Sequence, residues 1–282
     1  MKRLWLFSAI LFAFPVFGQR TFQIQKATTS IKIDGLLSEN DWQLGIPAKD
    51  FINNSPDYGK PASKSTNVWM LYDDEAIYIA AKLTDVPNDI RKQLTARDKE
   101  QRQDVDFFSV FLDTYNDNQN AFQFTVTSRN VQSDVRISLT SQRDYSWDAV
   151  WESNVKFVDD GWQLEMKIPY LSIRFSQAAE QHWGINFQRF SRKTNESTYW
   201  NPIDPNQAGL VNQFGDLIGI QNIKPPLRLS FLPYISSGFR STPSATNREN
   251  EWLRNGGMDV KWGINESFTL DATLVPDFGQ VI

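Results

Sequence analysis

The stretch Asp106-Phe107-Phe108-Ser109-Val110-Phe111-Leu112-Asp113 decides the fold. An extended chain sends successive side chains to opposite faces. Phe108, Val110 and Leu112 then share one face, and Phe107 and Phe111 share the other. A strand that is apolar on both faces is covered on both faces, so this one belongs at the centre of a sheet. Working outward, the alternation becomes cleaner. Ile77, Ile79, Ala81 and Leu83 alternate with Tyr78, Ala80 and Lys82; Phe122, Phe124 and Val126 alternate with Gln123, Thr125 and Thr127. Val135, Ile137 and Leu139 alternate with Arg136 and Ser138, and Trp162, Leu164, Met166 and Ile168 with Gln163, Glu165 and Lys167. Each of these runs has one face for a core and one for water, the pattern of antiparallel sheets. Asp73-Asp74, Asn116-Asp117-Asn118 and Asp159-Asp160-Gly161 separate such runs, and these residue types tolerate turn dihedrals. Helical signal is confined to a turn from Glu39 to Trp42 capped by Ser38, and another from Tyr170 to Phe175 after Pro169. The prediction is an all-β fold, an antiparallel β-sandwich over residues 19–222.

Composition narrows the chemistry. With 40% hydrophobic residues in 282, the chain can bury a sizeable core. A net charge of -4 and the absence of a basic tract exclude nucleic acid as the main partner. No cysteine is present, which excludes disulfides, thiol nucleophiles, cysteine-based zinc sites and a lipidated anchor cysteine. The single histidine, His182, excludes multi-histidine metal sites and most histidine-centred triads. At the N-terminus, Lys2 and Arg3 precede an apolar run from Leu4 to Phe17, and Val16-Phe17-Gly18 offers small residues for signal peptidase. Residues 1–18 read as a cleaved secretory signal, which predicts work outside the cytoplasm, in the periplasm or at the outer membrane.

Residues 223–282 read differently, beginning at Pro225-Pro226. Leu227, Leu229 and Phe231 alternate toward Tyr234; Met258, Val260, Trp262 and Ile264 alternate with Asp259, Lys261 and Gly263. After an Asn265-Glu266 turn, Phe268, Leu270, Ala272 and Leu274 alternate with Thr269, Asp271 and Thr273. One apolar face with aromatics near the ends is the pattern of a transmembrane β-barrel strand, and also of a soluble hairpin packed on the sandwich. Only about three such strands are visible, against about eight or more in a single-chain barrel, so the barrel reading implies an incomplete one.

Ile33-Asp34-Gly35-Leu36-Leu37-Ser38-Glu39-Asn40-Asp41-Trp42 resembles the opening signature of carbohydrate-binding module family 9-like domains, Ile-Asp-Gly followed by Leu, Glu and Trp. Leu71-Tyr72-Asp73-Asp74-Glu75-Ala76-Ile77-Tyr78 resembles the family's second hairpin, and residues 106–113 its central strand. Gly161-Trp162 to Ile168-Pro169 and Trp183-Gly184-Ile185-Asn186-Phe187 complete the order. Gly256-Gly257-Met258-Asp259 and Thr273-Leu274-Val275-Pro276-Asp277-Phe278-Gly279-Gln280 resemble the start of the barrel region in large Bacteroidetes-type outer-membrane proteins that carry this domain in front. The resemblance implies a non-catalytic carbohydrate-binding sandwich beside a pore, with the outer membrane and the missing C-terminal barrel as partners.

It also implies a sugar clamp of two tryptophans, a glutamate, an arginine and an asparagine. Those positions fall on Gln103, Ser109, Thr125, Thr127 and Gly209 or Leu210, and all five depart from the family's pattern. Ser109, Gln123, Thr125 and Thr127 are expected to point together to the solvent side of the sheet, as a polar groove or as an ordinary wet face. Tyr145, Trp147 and Trp151 in one loop-like stretch, and Trp200 in another, are stacking platforms for sugar rings. Alternatively, Trp147 and Trp151 plug the end of the sandwich.

Asp148, Glu152 and Glu165 are carboxylates that glycoside hydrolysis would need, yet no spacing ties a pair to one cleft, and they read as surface residues. No catalytic residue and no enzyme activity are expected. Asp73-Asp74-Glu75 and Asp113 to Asp117 offer oxygen ligands to calcium, although turn chemistry accounts for them too. Beyond calcium no cofactor is expected; His182 with Met166 or Met258 is a weak haem pattern, and no phosphate-cradling glycine loop is present. Three functions remain in view. The chain binds a glycan near a barrel pore, or the sandwich plugs or gates the barrel or docks a partner, or it is an accessory part of a glycoside hydrolase.

Overall fold

A computed structural model of the chain describes residues 18–274 apart from 101–102, 139, 141, 226–227, 244–247 and 264–267. Residues 1–17 of the expected secretory signal, Leu139, Pro226-Leu227, Ile264, the expected Asn265-Glu266 turn and residues 275–282 lie outside the described residues. The chain divides into two compact units, ending and beginning at Ile223 and Lys224.

The first unit is built from two sheets. In chain order its strands are β1 (Thr21–Gln23), β2 (Gln25–Lys26), β3 (Ile52–Ser55), β4 (Thr66–Tyr72), β5 (Ala76–Thr84), β6 (Phe107–Asp113), β7 (Ala121–Thr127), β8 (Gln132–Ile137), β9 (Arg143–Asp144), β10 (Glu152–Val158), β11 (Gly161–Pro169), β12 (Glu180–Ser191), β13 (Glu196–Tyr199) and β14 (Gly215–Gln221). The larger sheet runs β1-β14-β12-β6-β7-β8-β9, and β13 and β3 extend it beside the second half of β12. The smaller runs β10-β11-β5-β4-β2. The strand that is apolar on both faces, β6, lies in the middle of the larger sheet, and all of its residues are buried. The expected turns join β4 to β5, β6 to β7 and β10 to β11. Asn116 and Asn118 there adopt φ of 52° and 59°, which asparagine accepts at low cost.

Between the sheets lies one apolar cluster. Phe108, Val110, Leu112, Phe124 and Phe187 from the larger sheet meet Ile77, Ile79, Leu83, Trp162, Leu164, Met166 and Ile168 from the smaller, all with 0% exposure. Removing one such side chain from water is worth roughly 1.5–3 kcal/mol, so this layer carries most of the unit's stability.

The outer face of the smaller sheet is not the wet face that alternation predicts. The segment before β3 crosses it and sets Ile31 and Trp42 on Leu71, Ala76, Tyr78 and Ala80. Glu165, read from sequence as a surface carboxylate, is the fastener and is fully buried. Its Oε2 accepts the amides of Asp34 (3.0 Å) and Gly35 (2.8 Å), and its Oε1 accepts Trp42 Nε1 at 3.0 Å. The Ile-Asp-Gly…Trp signature is therefore a set of donors converging on one buried carboxylate. Gly35 has φ of 81°, and a Cβ there would meet β10 backbone at 3.2 Å, so both shape and conformation call for glycine. The helix α1 is Asp41–Leu44, shifted from the expected Glu39 to Trp42 turn. Its N-cap is Asn40 rather than Ser38, without a side-chain cap, and the Asp41 carboxylate in its first turn accepts from Thr28 and Thr29. After Pro169, only Tyr170–Ser172 is helical, as a single 3₁₀ turn.

The second unit holds β15 (Arg228–Pro243), β16 (Arg248–Gly263) and β17 (Thr269–Thr273), an antiparallel sheet in that order. Register places Leu229, Phe231, Ile235 and Phe239 opposite Trp262, Val260, Gly256 and Trp252, with Leu270 and Ala272 next to Trp262 and Val260. These residues share one face. The other is more polar, with Ser230, Ser236, Arg240, Lys261, Asp259, Asn255, Glu251 and Asp271 beside Leu232, Tyr234 and Leu253. Both faces are open: Ile235 is 92% exposed, Trp252 68% and Phe231 55%.

Candidate functional site

Four adjacent strands of the larger sheet build a polar row on the face turned away from the core. Gln188 on β12 stands opposite Ser109 on β6, Ser109 opposite Thr125 on β7, and Thr125 opposite Ser133 on β8. Directly paired residues share a face, so the row is continuous. The Ser109 and Thr125 hydroxyls are 2.8 Å apart, and Gln123 Nε2 donates to both, at 3.4 and 3.1 Å. Gln188 Nε2 donates to Ser197 Oγ on β13 at 2.9 Å.

The row lies between apolar neighbours. On one side the rings of Phe107 and Phe190 stack at 4.9 Å and 19°, with Phe190 half-buried. On the other, Phe111 meets Tyr199 and Phe214 within a second cluster that includes Val135, Ile137 and Val211. Above it stands Glu100, 3% exposed, with the Ser133 hydroxyl facing its carboxyl. Burial pushes the Glu100 carboxyl above its usual range, and Ser133 works against that rise. Three buried atoms here have no hydrogen-bond partner of normal geometry: Gln123 Oε1, Ser133 Oγ and Glu100 Oε2. Apart from the carboxylate that faces Ser133, Gln123 Oε1 carries lone pairs awaiting a donor, and Ser133 Oγ is a hydroxyl able to donate or accept. A small neutral ligand rich in hydroxyls satisfies that set, as would ordered water.

The structure brings Ser109, Gln123 and Thr125 together as expected, but not on a solvent face. They are 0%, 2% and 0% exposed, with the second apolar cluster packed beside them where an alternation pattern reads only water. Thr127 is buried at the end of β7, where its Oγ1 accepts the Val131 amide at 3.0 Å. The aromatic platforms are mostly core. Trp200 packs edge-on against Phe22 at 6.1 Å and is buried. Trp151 is buried edge-on against Phe124 and donates Nε1 to Asp134. Trp147 is half-buried on Phe122 (4.9 Å) and Phe124 (5.7 Å), and Tyr145 is exposed in the same loop. Trp147 and Trp151 thus plug the end of the sandwich. Sequence reading missed Ser133, Gln188, Glu100 and Phe190; the alternation in β8 and β12 contains the first two, but only register aligns them with Ser109.

The remaining groups are used structurally. Asp73 accepts the amides of Glu75 and Ala76 and the Tyr78 hydroxyl; Asp113 accepts those of Asp117 and Asn118; Asp117 accepts those of Gln119 and Asn120. Among the described residues no cluster of three or more histidine or acidic side chains is placed to hold a metal. Met166 is in the core, whereas His182 is exposed and bonded to Asp216 at 3.1 Å. Asp148 is exposed and paired with Arg97.

Two facing sheets, antiparallel except for the edge strands β1 and β2, with a recessed polar row define a β-sandwich of the binding-module class. A family model described as carbohydrate family 9 binding domain-like matches residues 33–217, and the chain belongs to this family. A second model, a domain of unknown function (DUF5916), matches residues 225–282. Among solved structures, a family 9 carbohydrate binding module from Caldicellulosiruptor kristjanssonii in complex with cellotriose is similar, with a TM-score of 0.53 and 15% identity, over 73% of this chain and all of that one. A family 9 module from the same organism in complex with glucose gives 0.52 and 17%, over 72% of this chain and all of that one. At these identities the likeness is one of fold. No curated protein matches the chain.

Proposed function

We propose that the first unit binds a glycan, without catalysis, through the polar row, and that it does so at the outer membrane, where the second unit contributes strands to a lipid-facing barrel. The row itself carries the glycan reading: adjacent hydroxyl and amide groups, unfilled acceptors and a flat phenylalanine pair are what sugar hydroxyls and C–H faces need. The two solved family 9 modules with bound cellotriose and glucose support the ligand class. Retention on an oligosaccharide array tests it. Ser133→Ala and Phe190→Ala are expected to weaken retention of a still-folded chain; a wild-type chain retained by no glycan sinks the reading.

The membrane location draws support from the second sheet. From Leu229 to Phe239 this face runs about 33 Å along β15, or about 25 Å upright at barrel tilt, apolar except where Ser237 and Arg254 interrupt it near the far end, with Trp262 near one end and Phe239 and Trp252 at the other. That height and those aromatic ends fit a bilayer's hydrocarbon. The full chain is expected to float with phosphatidylethanolamine–phosphatidylglycerol vesicles; a chain left wholly in the aqueous fraction removes this half of the proposal.

The burial of Trp151 and Trp200 and the covering of the row favour a second reading, in which the sandwich serves as a plug or docking module for the barrel. Glycan retention separates the two.

A further inference from the structure

The segment beside the β8 end of the polar row is built unlike the rest of the unit. From Gln93 to Lys99 every side chain is exposed or half-exposed, including Leu94 at 69%, so no apolar group of this stretch is buried. The one buried residue is Glu100, a carboxylate with an unpartnered oxygen. Its carboxyl meets the Ser133 hydroxyl and its own backbone amide, yet desolvating it still opposes closure. The segment is tied at two places. At its neck Lys92 pairs with Val105, Gln93 donates to the Asp104 carbonyl, and Gln93 Nε2 meets Gln103 Oε1 at 3.0 Å. At its far point Arg97 reaches four acceptors: Gln132 Oε1 (3.0 Å), the Asp134 carboxylate, Asp148 Oδ1 (3.0 Å) and the Ala149 carbonyl (3.1 Å). The Asp98 carboxylate adds a bond from the Asp134 amide at 3.1 Å.

We propose that residues 93–100 form a displaceable arm whose Glu100 occupies the polar row in place of ligand, with Arg97 as the latch that holds the arm shut. The proposal rests on the row being the glycan site. Closure depends on hydrogen bonds from a partly exposed arginine, with no apolar adhesion behind them, while the buried carboxylate pushes the other way. Such an element opens at a small fraction of the free energy of global unfolding, and ligand affinity is reduced by the fraction of molecules that are closed. Glu100 brings an acceptor to the row's hydroxyls, as a ligand hydroxyl does, and so competes for the same space.

Because the chain has no cysteine, Ser133→Cys introduces its only thiol, directly beneath the arm. Maleimide labelling of the full chain then reads opening without any ligand. The Ser133→Cys thiol is expected to react slowly, and adding Arg97→Gln is expected to raise the rate about tenfold. Arg97→Lys, which cannot span all four acceptors, is expected to fall between. A thiol from Ala81→Cys, in the core and under no arm, reports global opening. Equal rates with and without Arg97→Gln, or an equal rise at the Ala81→Cys thiol, overturns the arm. On the array, Arg97→Gln is expected to be retained more strongly than wild type; faster labelling with no retention of either protein upholds the arm and overturns the glycan reading beneath it.

Discussion

The two units use the same alternating sequence grammar and meet opposite fates. In β5 and β11 the residues between the core positions, such as Tyr78, Ala80 and Glu165, are buried as well, because residues 27–42 fold over them. In β15 and β16 both faces stay open, and the more apolar one carries Ile235, Phe231, Trp252 and Trp262. Alternation reports which side of a strand is greasy. What covers that side is decided by segments distant in sequence, as by residues 27–42 in the first unit.

The comparison can be broken at several points. The largest effect is expected inside the first unit: Trp200→Ala removes a ring wedged against Phe22 and Phe187 and should cost about 3–5 kcal/mol, read by chemical denaturation. Retained stability would mean that the core tolerates the loss and that Trp200 has another task. Next, Ile235→Lys is expected to cost about 2–4 kcal/mol of vesicle association, while Ser236→Lys on the opposite face leaves flotation nearly unchanged. Equal responses would erase the distinction between the two faces.

The covered face of the smaller sheet gives a pH signature. Burial pushes the Glu165 carboxyl up to about 7 from its ordinary 4.5, against the pull of its three N–H donors. Between those values the folded chain holds a proton that the unfolded chain has released. Stability is therefore fullest below about pH 4.5 and falls as pH rises through about 7, by up to roughly 3 kcal/mol from this group. Asp106, raised by burial to about 6, acts in the same direction. Glu165→Gln should lose about 1–3 kcal/mol at low pH and show a shallower decline; an unchanged slope would place the titration elsewhere. The smallest expected effect is at the polar row, where Phe190→Ala should weaken glycan retention about three- to tenfold while leaving melting nearly unaltered.

Much of the fold was legible. Phe107 to Leu112 announced a central strand, and Trp162 to Ile168 a core face, because burial on those faces is a local property of the strand. The site was less so. Ser109, Gln123 and Thr125 could be placed on one face, but the groups packed beside them, such as Tyr199 and Phe214 on Phe111, come from elsewhere in the chain. Glu165 looked like a surface carboxylate because nothing near it in sequence shows that Gly35 and Trp42 converge on it from more than 120 residues away. The tryptophans misled for a related reason: Trp200 sits in an irregular stretch of chain, yet its ring points inward.

That convergence bears on how the polypeptide matures. β1 lies parallel to β14, with Thr21 beside Asp216, and the turn at Gly35 waits for Glu165. The earliest residues of this unit to leave the ribosome are thus among the last to find their neighbours. Assembly cannot proceed from one end to the other, and a nascent chain stalled before residue 165 carries an unfastened leading segment with its apolar side chains bare, a natural target for holdase chaperones.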